Sequence, residues 1–485
     1  MAHDGLRPQS PGMPTRSARR SAQLGLLLIL LILLLLAHVT HGDAKDKDAV
    51  REQYEELPYP SRDPDDEVRR LLPAPLAHPF LINRVAFAGA ADRAVPGATG
   101  TVRVLIAGGG TGDATVFLAQ KCTDLNVSGV DIVHLDISAA SIAVAKARLH
   151  ARQVGSRIAV RFVHGSLLDL PTLLAGEQFD YINCVGVLHH LADPLAGLLA
   201  LNSVLADGGA IGIMLYAPHG RRGIYSTQRM LQLLSQSGGD TLATIPQKLA
   251  LARAQWHALS DEHPAKRNPS LRHLADADDA ELFDFLLHAQ DRPFSVLEID
   301  ELLRGAGLRL LSFLAPAPLR ARSHTSDPVV LKAYDKMDWL SKMAYGELLS
   351  GQISRHDVFA VKQSLRLSDL EKRMPCPREG LLDSIGRNAT LCPLVELPDL
   401  GFDWRQAPLQ TMSLRRVVSG FTIDFAISGV LVDILRQSDC VQTLEQIYVR
   451  LRAPQVVGPN EWESLLEAVN QGLVLVKDLN VVLVR

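Results

Sequence analysis

Val102-Arg103-Val104-Leu105-Ile106-Ala107 runs directly into Gly108-Gly109-Gly110-Thr111-Gly112. A short apolar stretch rich in β-branched residues predicts a buried parallel strand. The glycines predict a tight turn, with a helix from Asp113 to about Lys121 behind it. Glycine has no Cβ, so its backbone can press against a ligand at the carboxyl end of a strand. Strand, turn and helix together predict a pocket for a small, nucleoside-like molecule.

The same rhythm extends along the chain. Strands are expected near Ile132–Asp136, Ile158–Val163, Phe179–Val185, Ala210–Tyr216 and Leu308–Leu314, with a last one at His356–Lys362. Ala139–Arg152 and Asp193–Leu205 read as helices, the second closed by the turn Asp207-Gly208-Gly209. Ser295-Val296-Leu297-Glu298 is a capping box that opens another helix. Strand–helix alternation with short loops implies an α/β fold with a parallel sheet and helices on both faces. Two helical insertions, 221–292 and 327–349, interrupt a domain expected to span 101–363.

Residues 43–100 read as an N-terminal extension capping the site, with prolines that bar a regular helix through Gln53–Pro60. Residues 364–410 are Pro-rich and read as a linker. Beyond them, 411–485 suggest a winged-helix-like α+β module: helices at Phe421–Arg436, from the capping box Thr443–Gln446, and at Glu461–Gln471, then a hairpin of Leu473–Val476 with Val481–Val484.

The first 23 residues, rich in Pro, Ser and Arg, read as a disordered tail. Leu24–Val39 is an uncharged leucine-rich run within a hydrophobic segment spanning 24–42. Its length lies between a signal-peptide core and the roughly 20 residues of a membrane helix. The long basic stretch before it favours an uncleaved single-pass anchor, with a cleaved signal or organelle targeting as alternatives. Arg16, Arg19 and Arg20 favour placing the bulk of the chain on the non-cytosolic side. The sequons at Asn126 and Asn388 are compatible with that side.

The 485 residues are 47% hydrophobic and 21% charged, an ordinary globular balance. A net charge of −3 argues against broad nucleic-acid binding. None of the five cysteines forms a CxxC, and no zinc-ligand spacing is present, so no metal is called for. Cys122 and Cys184 read as buried thiols, whereas Cys376 and Cys392 flank a Pro-rich loop where a disulfide is conceivable.

A dinucleotide fingerprint needs a third glycine where Asp113 stands, and a carboxylate there would face pyrophosphate. A P-loop needs a lysine after Gly112, which is lacking. The run Val104–Gly112 instead resembles motif I of the class I S-adenosylmethionine-dependent methyltransferases, whose fold is a Rossmann-like sheet. One departure is Ile106, where that family usually has an acid that helps hold the methionine end. Asp113 is the candidate to supply part of that charge. The resemblance assigns the ribose hydroxyls to Asp136, with Asp131 as the alternative, and the adenine edge to Ser166 and Leu167. It places Gly108, Gly110, Thr111, Gly112 and Val185, at the end of the fourth strand, around the same cofactor.

The resemblance implies direct displacement, with transfer of a methyl group to a small-molecule or peptide acceptor. No residue is assigned to catalysis: His189 is the first candidate base and His190 the second, and many such reactions need only positioning. Tyr216, His219, Arg221, Arg222 and Tyr225 follow the fifth strand, and two adjacent arginines would suit an anionic acceptor. The C-terminal module reads as a protein- or peptide-binding unit, because Glu461, Glu463 and Glu467 would repel phosphate. Two rival readings are a catalytically silent binding protein and a nicotinamide oxidoreductase.

Overall fold

The structure, a computed structural model, describes residues 49–88, 100–154, 158–237 and 244–366, positions 369 and 373, and four strands nearer the C-terminus. Seven strands form the main sheet: β1 (Val102–Ala107), β2 (Val130–Asp136), β3 (Ile158–His164), β4 (Phe179–Val185), β5 (Leu205–Tyr216), β6 (Leu308–Phe313) and β7 (Arg355–Lys362). Their order is β3-β2-β1-β4-β5-β7-β6. The first five are parallel, but β7 runs antiparallel to both β5 and β6, which corrects the expectation of a wholly parallel sheet. The reason lies at the sheet's carboxyl edge. Leu314 N–H, just past β6, donates to Asp357 O in β7 at 2.8 Å. The chain re-enters where it left, so its direction must reverse.

Side chains alternate across each strand, and that period divides the core in two. Val102, Val104 and Ile106 face a layer that includes α2 (Pro79–Phe87) and α3 (Asp113–Asp124). Leu105 and Ala107 face the opposite layer, with α6 (Pro194–Ser203), α11 (Val296–Gly305) and α13 (Trp339–Ser350). Between these along the chain come α1 (50–56), α4 (Ala139–Ala151), α5 (Leu170–Leu173), the insertion helices α7 (Arg222–Ser237), α8 (Ile245–Ala258), α9 (Pro264–Arg267) and α10 (Asp279–Leu286), and α12 (Pro328–Tyr334). The first insertion has its own apolar core around Trp256, Leu271, Leu282 and Phe283. Helices thus cover both faces of a Rossmann-like sheet. The Ser295–Glu298 capping box is present, each side chain satisfying the other's backbone. Asp207-Gly208-Gly209 forms no turn between elements. It lies inside β5, where the register against β4 jumps between Phe179 and Tyr181. Cys122 and Cys184 are buried free thiols, and burial pushes both up to about 12.

Toward the C-terminus, Phe421–Ser428 is a strand, β10, paired antiparallel with β9 (Thr411–Val418), and not the expected helix. Phe421, Ile423, Phe425 and Ile427 alternate with smaller or polar residues, the period of a strand. Val482–Val484 pairs antiparallel with Leu391–Pro393, so the expected linker contributes a strand. The segments 443–446, 461–471 and 473–476 lie outside the described residues, as do 1–48 with the apolar run, and Asn388. Among the described residues no helix is long and apolar enough to cross a membrane.

An ion network ties the N-terminal segment to the glycine turn. Asp113 accepts from Arg62 Nη2 and from Arg148 Nη1, each at 2.7 Å. Arg148, 1% exposed, also contacts Glu67 at 2.6 Å, and Arg152 reaches Glu67 at 3.0 Å. Burial alone would raise the Asp113 carboxyl, but Arg62 and then Arg148 outweigh it and hold it below its ordinary value. A depressed carboxyl stabilises the fold above its unfolded pKa of about 4, and that stability is lost as pH falls through the folded value. Asp113→Asn should therefore lose less stability than wild type on acidification below about pH 4, and be less stable at neutral pH by about 1–3 kcal/mol. Urea midpoints measured across that range check this, and parallel curves for the two proteins would refute it. In α13, a Cβ on Gly346 would lie 1.8 Å from Leu319 O. Gly346→Ala should lower unfolding stability by about 1–3 kcal/mol with an unchanged denaturant slope.

Candidate functional site

In the order 3-2-1-4-5 the sheet reverses direction of growth between β1 and β4, and the crevice outside their carboxyl ends is where such sheets bind ligands. The glycine turn forms one wall. Gly108 and Gly109 donate to Leu135 O at 2.8 and 3.0 Å, which pins the turn to the end of β2. Gly108 has φ +72° and Gly110 φ +52°, a region that favours glycine. A Cβ on Gly108 would lie 2.3 Å from Val187 Cγ2, and one on Gly110 2.7 Å from Tyr59 O.

Asp136 ends β2 and is buried. Its Oδ2 accepts from Gly110 N–H at 2.7 Å and its Oδ1 from Ser138 N–H at 2.9 Å. Burial raises this carboxyl, and the amides of Ser138 and Gly110 oppose that. Each carboxylate oxygen has two lone pairs, so acceptor capacity remains for two further donors. Asp131, the alternative, is exposed near the amino end of β2, away from the turn.

The segment from Tyr54 to Arg62 crosses these elements as a strap. Thr111 Oγ1 donates to Pro60 O at 2.7 Å, and Ser138 Oγ to Tyr54 O at 2.9 Å. Glu55 accepts from Ala139 and Ala140 N–H at 2.7 and 2.9 Å, capping the amino end of α4. Asp113, at the start of α3, is already paired with two arginines. Its charge holds the strap, so the sequence-based role of compensating for Ile106 does not fit this geometry. Ile106 itself is buried, in register between His134 and Asn183. Both neighbours keep a buried nitrogen without a hydrogen-bond partner among the described residues, His134 Nε2 and Asn183 Nδ2. Those two are where an acid at position 106 would have found donors.

Ser166 caps the short turn Leu167–Asp169, accepting from Leu168 N–H at 3.2 Å, and Leu167 is buried. Val185 ends β4 and is 36% exposed, the only part of that strand open to the crevice side. Gly108, Gly110, Thr111, Gly112, Asp136 and Val185 therefore gather at one sheet edge, with Ser166 and Leu167 following β3 at the same edge.

Behind Val185 lies a buried polar cluster that the sequence reading largely missed. Tyr54 Oη donates to Asp284 Oδ1 at 3.0 Å and lies 3.1 Å from His288 Nε2. Tyr216 Oη lies 3.5 Å from Asp284 Oδ2. His190 stacks on His288 with ring centroids 3.7 Å apart. Burial raises the Asp284 carboxyl and keeps His288 well below its ordinary value. Asp284 and His288 belong to or follow α10, in an insertion without a motif, so only the fold brings them to β4 and β5. The paired arginines separate: Arg222 is exposed, while Arg221 is buried, bonded to Asp291 at 3.1 Å and seated 3.4 Å from the Tyr216 ring centre. Arg221 is neutralised in place and forms no anion clamp with Arg222. His189 is fully buried, and among the described residues neither ring nitrogen has a hydrogen-bond partner. Burial, then the neighbouring His190, holds it well below its ordinary value.

Ligating atoms of His190, Asp284 and His288 lie within 4.8 Å of one another, a spacing that by itself would admit a cation. The rings argue otherwise. Gln290 N–H donates to His288 Nδ1 at 3.0 Å, so the neutral ring carries its proton on Nε2 and has no lone pair there to offer. Two rings stacked face to face also cannot both aim in-plane nitrogens at one ion.

Comparison with known proteins agrees with this geometry. A methyltransferase-domain family profile matches residues 105–211. An uncharacterized protein of Synechococcus is 38% identical over 215 residues, 44% of this chain and 49% of its own. The tRNA 5-carboxymethoxyuridine methyltransferase of Escherichia coli K12 is 34% identical over 119 residues, 24% of this chain and 42% of its own. The chain thus spans about half or less of these curated relatives. Among solved structures, PKMT2 from Rickettsia typhi superposes with a TM-score of 0.56 at 13% identity, covering 85% of this chain and 76% of that one, and it has also been solved in complex with AdoHcy. That likeness concerns the fold. Sheet order, glycine turn and the terminal acid of β2 agree with the match of residues 105–211 to a methyltransferase domain, and together they point to the class I, S-adenosylmethionine-dependent methyltransferase fold.

Proposed function

We propose that this chain transfers a methyl group from S-adenosylmethionine to a small-molecule or peptide acceptor by direct displacement. The observation that carries the reading is Asp136. Its carboxylate holds the glycine turn through Gly110 and the start of α4 through Ser138, and keeps acceptor capacity at the carboxyl end of β2. That is the donor-seeking arrangement the two ribose hydroxyls require. The glycine turn fits the same ligand, because a Cβ at Gly108 or Gly110 would fill the space beside it. Ser166 and Leu167 would border the adenine. S-adenosylmethionine supplies an already activated methyl, since its sulfonium departs as a neutral thioether.

The work left to the protein is positioning and dehydration. The strap from Tyr54 to Arg62 closes over the glycine turn and ties it to α4 and the first insertion. Burial pushes the hydroxyls of Tyr54, Tyr59, Tyr216 and Tyr225 up, so they stay protonated as neutral donors. Neutral hydroxyls of this kind help to hold an acceptor in line with the methyl without adding fixed charge. The overall charge of −3 favours a compact acceptor over bulk nucleic acid.

Calorimetry on the full chain should detect S-adenosylmethionine and S-adenosylhomocysteine and give no heat with NAD. Asp136→Asn should weaken cofactor binding about 10- to 100-fold, the loss of about 1.5–3 kcal/mol in charge-assisted hydrogen bonds. Folded wild-type protein that binds neither cofactor form would overturn the reading.

A further inference from the structure

We propose that His190, and not His189, is the proton acceptor at this site, and that the methyl acceptor therefore reaches it carrying a proton, as a hydroxyl or an ammonium. The inference rests on the methyl-transfer reading and adds to it the class of acceptor.

Three observations separate the two adjacent histidines. His189 is sealed, with no hydrogen bond to either nitrogen among the described residues and its ring packed 4.0 Å from that of Tyr216. His190 is held by the loop that follows α10. Its Nδ1 lies 2.7 Å from Gln290 O, a carbonyl that can only accept, so the proton of the neutral ring sits on Nδ1. Nε2 is then the unprotonated nitrogen, and it carries no hydrogen bond among the described residues. The same loop fixes His288 the opposite way, because Gln290 N–H donates into its Nδ1. One residue's carbonyl and amide thus set the two stacked rings in opposite tautomers.

The surroundings suit a ring that gains a proton. A ring nitrogen of His190 lies within 4.8 Å of an Asp284 oxygen. Among the described residues Asp284 is bonded to no arginine or lysine, and it is oriented by Tyr54, which in turn accepts from His288 Nε2–H. Among the charged and titratable groups packed around His190, His189 and His288 are neutral and buried, Tyr54 and Tyr216 are neutral, and Arg221 is matched by Asp291. Asp284 is left as the counter-charge for an imidazolium. The step balances as follows. The acceptor's X–H proton passes to His190 Nε2 while the lone pair on X forms the bond to the methyl carbon. The methyl–sulfur bond breaks, its electron pair stays on sulfur, and the imidazolium later releases its proton to water.

Two measurements on the full chain test this. Diethyl pyrocarbonate, which acylates unprotonated imidazole nitrogen, should label His190 as pH rises and leave His189 and His288 unmodified on peptide mapping. An unreactive His190 would overturn the assignment without touching cofactor binding. In the second, labelled S-adenosylmethionine is supplied with an extract of cells lacking the gene. His190→Asn should cut transfer about 10²- to 10⁴-fold, leave cofactor affinity within about twofold of wild type, and remove the acid limb of the pH profile. Asp284→Asn should move that limb to lower pH, because the imidazolium loses its counter-charge. Transfer that is unchanged in His190→Asn, a product that is an alkali-labile methyl ester, or activity lost to a chelator and restored by a divalent cation would each overturn the proposal. Absence of transfer by wild type that binds no cofactor would instead overturn the reading on which it rests.

Discussion

The carboxylate of Asp136 accepts one amide proton from the glycine turn and one from the start of α4. Those two bonds join the β1–α3 and β2–α4 corners of the sheet, and the remaining features of the site hang on them. The turn can lie flat on β2 because Gly108 and Gly109 also donate to Leu135 O. The strap can lie on the turn because glycine leaves room for Tyr59 O. Removing charge at Asp136 would loosen the pocket wall and the helix cap together.

Electrostatics in this fold is compartmented. Around the strap, charges are paired in a network of Arg62, Asp113, Arg148, Glu67 and Arg152 that links N-terminal segment, α3 and α4. Around β4 and β5 the groups are buried and mostly neutral, with Arg221 and Asp291 compensating each other. Burying an unpaired charge is costly, so an isolated carboxylate such as Asp284 stands out against that background. Its neighbours are hydroxyls and imidazoles, groups that can donate, accept or relay a proton and that add no fixed charge of their own.

The wall of the crevice was legible in the sequence because every part of it is local. Gly108 to Gly112, Asp136, Ser166 and Val185 each sit at the end of a strand that alternation alone reveals, and strand ends of a doubly wound sheet converge by topology. Asp113 was legible as a helix-starting acid, but its partner Arg62 is remote and unmarked by any motif, so its role could not be read. The different surroundings of His189 and His190 were illegible for a similar reason: adjacent residues of one type differ only in what packs on them. The strand at Phe421–Ser428 is a different failure, since its period-2 alternation was present and the overall apolarity obscured it.

Local chemistry therefore determined the element types, the glycine turn, the acid that ends β2 and the family they imply. Those depend on φ preference, side-chain period and spacing over a few residues. Tertiary structure alone decided the reversed β7, the strap across the turn, the pairing of Asp113 with two arginines and the meeting of Tyr54, His190, Asp284 and His288. Each of those joins residues far apart in the chain, and a contact of that kind is set by which surfaces must be buried against each other, a quantity no short stretch of sequence contains.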